Sequence, residues 1–291
     1  MSRLFDALQR SEAEQAGFSS TPLSSSAAEL LQAAEQEQEP SDSTATGLDQ
    51  FPSVSVLPPS NSKLVCLTAP DSLGAEKFRF LGVRLRQMQQ HKGLKKVLVT
   101  STLPEEGKSM VSANLAVTLA RKESQKILLL EGDLRRPTLP LQLGVAVNPG
   151  LSEWLQADYG PFANIYRLGE AGCWFVPAGS PPDNPLELMQ SGKLSALIER
   201  LESLFDWIII DSPPVLPLAD TSVWARLADG VLLVTREGTT EKGQLKRGLQ
   251  ALEHLKLLGA VINSTTESVH QDYYQRYRPA AGAPASVEKS S

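Results

Sequence analysis

Val97-Leu-Val-Thr-Ser-Thr-Leu-Pro-Glu-Glu-Gly-Lys-Ser109 is an apolar run that breaks into a turn and leads into the helix-like stretch Met110 to Arg121. A short buried strand followed by a loop ending in Gly-Lys-Ser is one way a chain cups phosphates. Loop N–H groups converge, a lysine reaches the β/γ oxygens and a hydroxyl ligates Mg²⁺. Glu106, Gly107, Lys108, Ser109 and Met110 are therefore candidates for a nucleotide site. The pattern G-x-x-x-x-G-K-[ST] asks for glycine at position 102, where this chain has Thr102. On the loop alone, a solvated turn before a helix is the competing reading.

The sequence on either side alternates. Leu64 to Thr68, Val97 to Thr100, Ile127 to Leu130, Trp174 to Pro177, Trp207 to Ile210, Val231 to Thr235 and Ala260 to Ile262 are short apolar runs with β-branched content. Such continuous apolarity suits strands buried on both faces of a parallel sheet. Between them lie the helix-like stretches Ala75 to Gln90, Met110 to Arg121, Glu187 to Leu204 and Glu241 to Leu257. The alternation predicts a doubly wound, mostly parallel α/β domain over about 63–268, with ligands at the carboxyl ends of the strands.

Ahead of it, 1–18 opens with Leu4, Phe5 and Leu8 at helical spacing, and 19–62 is rich in Ser, Gln, Glu, Ala and Pro. That tract has too few large apolar groups to offset ordering entropy and reads as a disordered tether. Residues 269–291 read as a flexible tail. The formal net charge of -5 gives no electrostatic case for nucleic-acid binding. Cys66 and Cys173 form no CxxC pair and the histidines are scattered, so neither a disulfide framework nor a zinc site is indicated, and a cytoplasmic setting fits. No run approaches the roughly 18 apolar residues of a membrane span, and Arg3, Asp6, Gln9 and Arg10 interrupt the opening where a signal peptide is apolar. A membrane role is expected only through a partner.

Two further segments carry acids at strand ends. In Ile127-Leu-Leu-Leu-Glu-Gly-Asp-Leu-Arg-Arg-Pro137, period-two alternation puts Glu131 and Asp133 on one side of the extending strand. In Trp207-Ile-Ile-Ile-Asp-Ser-Pro-Pro214, Asp211 ends a buried run. Each acid alone is an ordinary strand terminator. With a phosphate-binding loop, the three together can hold Mg²⁺ directly or through water and position an attacking hydroxyl.

With these residues in place, the chain resembles the cytoplasmic bacterial tyrosine kinases (BY-kinases) of polysaccharide synthesis, over about residues 65 to 277. The resemblance is carried by Thr100 to Ser109, Asp133-Leu-Arg-Arg-Pro137, Pro177-Ala-Gly179 with Asn184-Pro185-x-Glu187-Leu188, and Asp211-Ser-Pro-Pro214. It implies a P-loop NTPase fold and ATP- and Mg²⁺-dependent phosphorylation of tyrosines, chiefly in the chain's own tail. Tyr273, Tyr274 and Tyr277 are three of only five tyrosines and are the phosphoacceptor candidates, each gaining about two negative charges; an ordinary polar tail is the alternative.

By the same resemblance Lys108 stabilises β/γ charge, Ser109 and Asp211 hold or orient Mg²⁺, and Asp133 supports the metal. Glu131 stands where the family usually has an Asp that helps activate the tyrosine hydroxyl, with about 1.5 Å of extra reach. Asn263 matches a position near the adenine, or is a turn residue; Arg236 lines the nucleotide site, or is a solvated strand-end arginine. Arg135 and Arg136 contact phosphate or an acidic tail, or form surface ion pairs.

The resemblance also implies a membrane-bound polysaccharide co-polymerase on a separate chain as activator, protein tyrosine substrates and a ring-like homo-oligomer. The oligomer motif E-x-x-R-x-x-R is only half matched, by Glu76-Lys-Phe-Arg79, with Gly82 in place of the second arginine. Two other functions stay open: a MinD/ParA-type ATPase, against which the absence of a lysine at Ser101 speaks, and a nucleotide-gated scaffold that binds ATP without efficient phosphoryl transfer.

Overall fold

The central strands form because their residues are apolar on both faces. Lys96–Ser101, Ile127–Glu131 and Trp207–Asp211 are buried at every position, as a sheet covered on two sides requires. The structure, a computed structural model, describes residues 47–48, 50–146, 149–157, 160–216 and 219–264. The opening segment 1–18, most of the expected tether and Tyr273, Tyr274 and Tyr277 lie outside these.

In chain order the described elements are β1 (Ser53–Val54), α1 (Val65–Thr68), α2 (Leu73–Lys92), β2 (Lys96–Ser101), α3 (Lys108–Ala120) and β3 (Ile127–Glu131). Next come α4 (Leu139–Leu143), α5 (Leu151–Gln156), β4 (Tyr166–Leu168), β5 (Cys173–Val176), α6 (Pro185–Met189) and α7 (Gly192–Leu204). The chain continues through β6 (Trp207–Asp211), α8 (Asp220–Leu227), β7 (Gly230–Arg236), α9 (Lys242–Ala251) and β8 (Leu257–Asn263).

The strands make one sheet in the order β1-β4-β5-β3-β6-β2-β7-β8. Every neighbouring pair is parallel except β4 and β5. Alternate side chains of the same strands feed two cores. Val97, Val99, Leu129 and Ile209 join Val111, Leu115 and Leu119 of α3 on one face. Leu98, Leu128, Leu130 and Ile210 join Leu197, Leu201 and Trp224 of α7 and α8 on the other. This is the doubly wound α/β arrangement expected, a P-loop NTPase fold with β2 in mid-sheet. No helix among the described residues is long and apolar enough to cross a membrane.

Four expectations are corrected. Leu64 to Thr68 is not a strand: Val65–Thr68 is one helical turn, pinned to α3 where Asn114 Oδ1 accepts from Cys66 N–H at 2.9 Å. A short buried apolar run does not distinguish a strand from a turn of helix. The ordered domain reaches upstream of residue 63. Leu48 and Val56 are buried, β1 pairs with β4, and Val56 N–H donates to Glu170 Oε2 at 2.8 Å. The stretch Glu187 to Leu204 is two helices, α6 and α7, broken at Gln190 and Ser191; likewise the helix expected from Glu241 to Leu257 ends at Ala251, and Leu257 opens β8.

Gly82 has a structural explanation. It is buried where α2 crosses α3, and a Cβ there would meet Thr118 Cγ2 at 3.1 Å. Any side chain at this position has to displace Thr118. One turn on, Arg86 spans them instead, donating to Leu119 O at 3.1 Å.

Candidate active site

The loop from Thr102 to Gly107 joins the end of β2 to the start of α3, so the N–H groups of the first turn of α3 point out of the sheet's carboxyl edge. Gly107 is left-handed (φ 97°), and a Cβ on it would fall on Asn263 Nδ2. Glycine is therefore required on two counts, conformation and space.

Side chains hold the rest of the loop. Glu106 is fully buried; its carboxylate accepts from Leu103 N–H at 2.7 Å and from the Thr240 hydroxyl after β7. Asn263, at the end of β8, donates to Glu106 O at 2.9 Å. Thr102, standing where the motif has glycine, is buried against Gly248 of α9, where a Cβ would lie 3.0 Å from its Cγ2 and Oγ1. The Thr102 side chain thus occupies space that any side chain at position 248 would contest.

The loop forms one wall of a cavity of about 600 Å³ at the carboxyl ends of the adjacent strands β2, β3 and β6. Gly107, Lys108, Ser109 and Met110 line it from the loop side, Asp133, Arg135, Arg136, Thr138 and Gln142 from beyond β3, and Pro214 from beyond β6. At its floor Lys108 Nζ lies 2.8 Å from Asp133 Oδ2 and 3.3 Å from Ser109 Oγ. Burial opposes the Lys108 charge, but Asp211, Asp133 and Glu131 outweigh it and raise the ammonium above its ordinary value. The lysine is thus a fixed cation. Asp211 sits behind the floor, accepting from the Ser109 and Ser112 hydroxyls, and burial raises its carboxyl despite Lys108.

Glu131 is placed differently from the sequence expectation. It is fully buried, outside the cavity lining, and its carboxylate accepts three backbone N–H groups: Thr138 and Leu139 at 2.7 Å on Oε1, and Ala178 at 3.0 Å on Oε2. Burial pushes this carboxyl up to about 7 against those bonds, with Asp211 adding to the rise. The longer side chain reaches past the cavity into the backbone of α4 and the Ala178 turn. There it ties the segment after β3 to the end of β5.

The structure therefore brings together Gly107, Lys108, Ser109, Met110 and Asp133 in the lining, with Asp211 directly behind. Glu106 and Asn263 brace the loop from outside the lining. Arg236 also lies outside it, at the carboxyl end of β7 in the turn closed by Thr240. Two residues the sequence did not indicate shape the site. Asp220 grips Arg135 with two bonds, 2.6 and 3.1 Å. Trp224 packs on Gly132, between Glu131 and Asp133, and its indole N–H donates to Gly132 O at 2.9 Å. Neither has a local signal, since each acts across more than eighty residues of chain.

Among the described residues no three His, Cys, Asp or Glu side chains cluster as a metal cage. Mg²⁺ does not need one, because it is held by one or two carboxylates together with substrate phosphates and water. Ser109 and Asp133 in the lining, beside a glycine cradle without room for a Cβ, fit a Mg²⁺-nucleotide.

No family model matches the chain. It is 33% identical over 212 residues to the tyrosine-protein kinase YwqD of Bacillus subtilis (strain 168), covering 72% of this chain and 89% of that one. It is 32% identical over 207 residues to the succinoglycan biosynthesis transport protein ExoP of Rhizobium meliloti (strain 1021), 69% of this chain but only 26% of ExoP. The kinase domain of the Escherichia coli tyrosine kinase ETK superposes with a TM-score of 0.65 at 28% identity, covering 70% of this chain and 82% of that one. More distantly, the septum site-determining protein MinD of Pyrococcus horikoshii OT3, complexed with Mg-ADP, gives 0.51 at 26% identity over 62% of this chain and 76% of its own. The loop, the acids and the relatives agree: the chain belongs to the bacterial tyrosine-protein kinase family.

Proposed function

We propose that the chain is an ATP-dependent protein-tyrosine autokinase acting in exopolysaccharide or capsule synthesis. The observation that carries this is the Lys108–Asp133 pair at the floor of the cavity, with Ser109 beside it. A cation and a carboxylate set 2.8 Å apart at a helix N-terminus are where a γ-phosphoryl group would sit between donor and acceptor. Bound Mg²⁺-ATP would supply the phosphoryl group and the metal's charge. Lys108 stabilises charge on the β/γ oxygens, Ser109 and Asp133 hold the metal, and Asp211 orients Ser109 from behind. Glu106 and Asn263 keep the loop in its phosphate-binding shape.

In this reading Glu131 is a positioning residue, because its carboxylate is spent on three N–H bonds. Asp133 is then the acid best placed to orient the tyrosine hydroxyl. Tyr273, Tyr274 and Tyr277 are the acceptors. The polysaccharide role draws on the family resemblance and on a relative whose name places it in succinoglycan biosynthesis. With it come a membrane co-polymerase as activator on another chain, and recruitment of this chain to the membrane by that partner. The proposal extends to a homo-oligomer contacting through α2, where Phe80 and Val83 are exposed and Arg84 stacks on Phe80 at 5.2 Å.

The test is γ-labelled ATP with Mg²⁺ and the full chain, separating label on tyrosine from label released as inorganic phosphate. Label on tail tyrosines is expected. Release of phosphate alone would favour the MinD-type ATPase, and ATP binding with neither product the scaffold.

A further inference from the structure

The two arginines of Asp133-Leu-Arg-Arg-Pro137 both line the cavity but are not equivalent. Arg135 is held by both oxygens of Asp220, a buried carboxylate at the start of α8. Its charge is spoken for. Arg136 is exposed, and among the described residues no ion pair engages its guanidinium.

Its position is nonetheless fixed at the root. Arg136 N–H donates to Asp133 Oδ1 at 3.1 Å, while the other oxygen of the same carboxylate holds Lys108. The free guanidinium thus springs from the backbone that cradles the acid nearest the transfer point. Beside it, Thr138 and Gln142 complete a polar wall, joined by a bond of 3.2 Å from Gln142 Nε2 to Thr138 Oγ1.

In-line transfer puts the acceptor hydroxyl on the side of the γ-phosphoryl group away from the leaving oxygen. With the nucleotide's phosphates over Gly107 to Ser109, that side is the Asp133 wall. A peptide whose tyrosine reaches Asp133 lays its neighbouring residue about 3.8 Å along the chain, within the span of the Arg136 side chain.

We propose that Arg136 is the specificity-determining residue of the acceptor half of the cavity, pairing with an acidic side chain next to the tyrosine. The inference rests on the kinase reading above. It ranks the tail: Tyr273 follows Asp272, Tyr274 follows another tyrosine, and Tyr277 lies between Arg276 and Arg278. Tyr273 is the first acceptor, and Tyr277 the least favoured, because the free guanidinium repels its flanks. Exogenous substrates of the same site are proteins with an Asp or Glu next to the acceptor tyrosine.

The experiment uses the full chain with Mg²⁺-ATP and follows early phosphotyrosine at each tail site by mass spectrometry. It compares wild type, Arg136→Glu, Asp272→Arg and the double exchange. Each single exchange is expected to slow labelling of Tyr273 about tenfold or more relative to Tyr277, and the double exchange to restore most of it. Equal slowing of every tyrosine with a raised KM for ATP would make Arg136 a nucleotide ligand and overturn the proposal, as would single exchanges that leave the ratio of Tyr273 to Tyr277 unchanged. A wild-type chain that forms no phosphotyrosine would instead overturn the kinase reading itself.

Discussion

Gly132 lies between Glu131, the last residue of β3, and Asp133, and Trp224 of α8 is packed directly on it. A Cβ at position 132 would stand 2.6, 2.8 and 2.9 Å from Cε2, Nε1 and Cζ2 of the indole. The closest of these is about 0.8 Å inside the 3.4 Å where ordinary van der Waals contact begins. Trp224 is fully buried and cannot swing out, so Gly132→Ala must move either the indole or the turn that carries Asp133. Overpacking of this kind costs about 1–3 kcal/mol, and loss of the indole bond to Gly132 O about 1 kcal/mol more. The expected fall in Tm is roughly 5–15 °C. If the turn takes up the shift, Asp133 leaves its place beside Lys108 by nearly 1 Å, and misplacement on that scale costs about 100-fold in rate. The assay is phosphotyrosine formation at saturating ATP, beside thermal unfolding, for Gly132→Ala and for Gly132→Ala with Trp224→Phe. The smaller ring should return at least about tenfold of the lost rate. Wild-type Tm and kcat in Gly132→Ala would refute the reasoning, since the packing would then have been free to give at no cost.

The remaining expectations concern the supports of the same site. Glu131 takes up a proton on folding between its ordinary 4.5 and about 7; its contribution to stability is full below about 4.5 and is lost as pH rises through 7. Glu131→Gln cannot titrate, so the difference in unfolding free energy between wild type and variant should fall from pH 5 to pH 8, and a constant difference would contradict the burial argument. Thr240→Val removes a hydroxyl that donates to the buried Glu106 carboxylate and should raise the KM for ATP about tenfold, read by titrating ATP; an unchanged KM would mean the loop holds its shape without that bond. Gly248→Ala meets Thr102 at 3.0 Å and should cost about 1 kcal/mol or more in chemical denaturation, a loss that Thr102→Gly should relieve; independent, additive effects would break the proposed link between the altered loop motif and α9.

What the sequence makes legible follows from how far a signal extends along the chain. β2, β3, β6 and β7 are readable because burial on both sheet faces demands unbroken apolar runs, and each run carries its own evidence. β1 and β4 are not: two and three residues of an edge ribbon, half exposed, leave no period to detect. In the site, Lys108, Ser109 and Asp133 are legible because loop and acid chemistry are written locally. The clamps are invisible for the opposite reason. Glu106 meets Thr240 across 134 residues and Arg135 meets Asp220 across 85, so only the fold brings them together. Glu131 was readable as an acid at a strand end but not as a buried one. The carboxylate reaches the N–H groups of Thr138, Leu139 and Ala178 instead of the cavity lining, contacts that lie 7, 8 and 47 residues along the chain.

The central claim is that the Lys108 cavity moves phosphate from ATP to the chain's own tail, and phosphotyrosine mapping tests it most directly. Full-length wild type and Lys108→Met would each be incubated with Mg²⁺-ATP, with and without the cytoplasmic segment of a candidate membrane partner, and every tyrosine quantified. The account predicts phosphate on Tyr273, Tyr274 or Tyr277 in the wild type and none in Lys108→Met, whose side chain offers no charge to the β/γ oxygens. Labelling that persists in Lys108→Met, or a wild type that binds ATP yet forms no phosphotyrosine with the partner present, would contradict it.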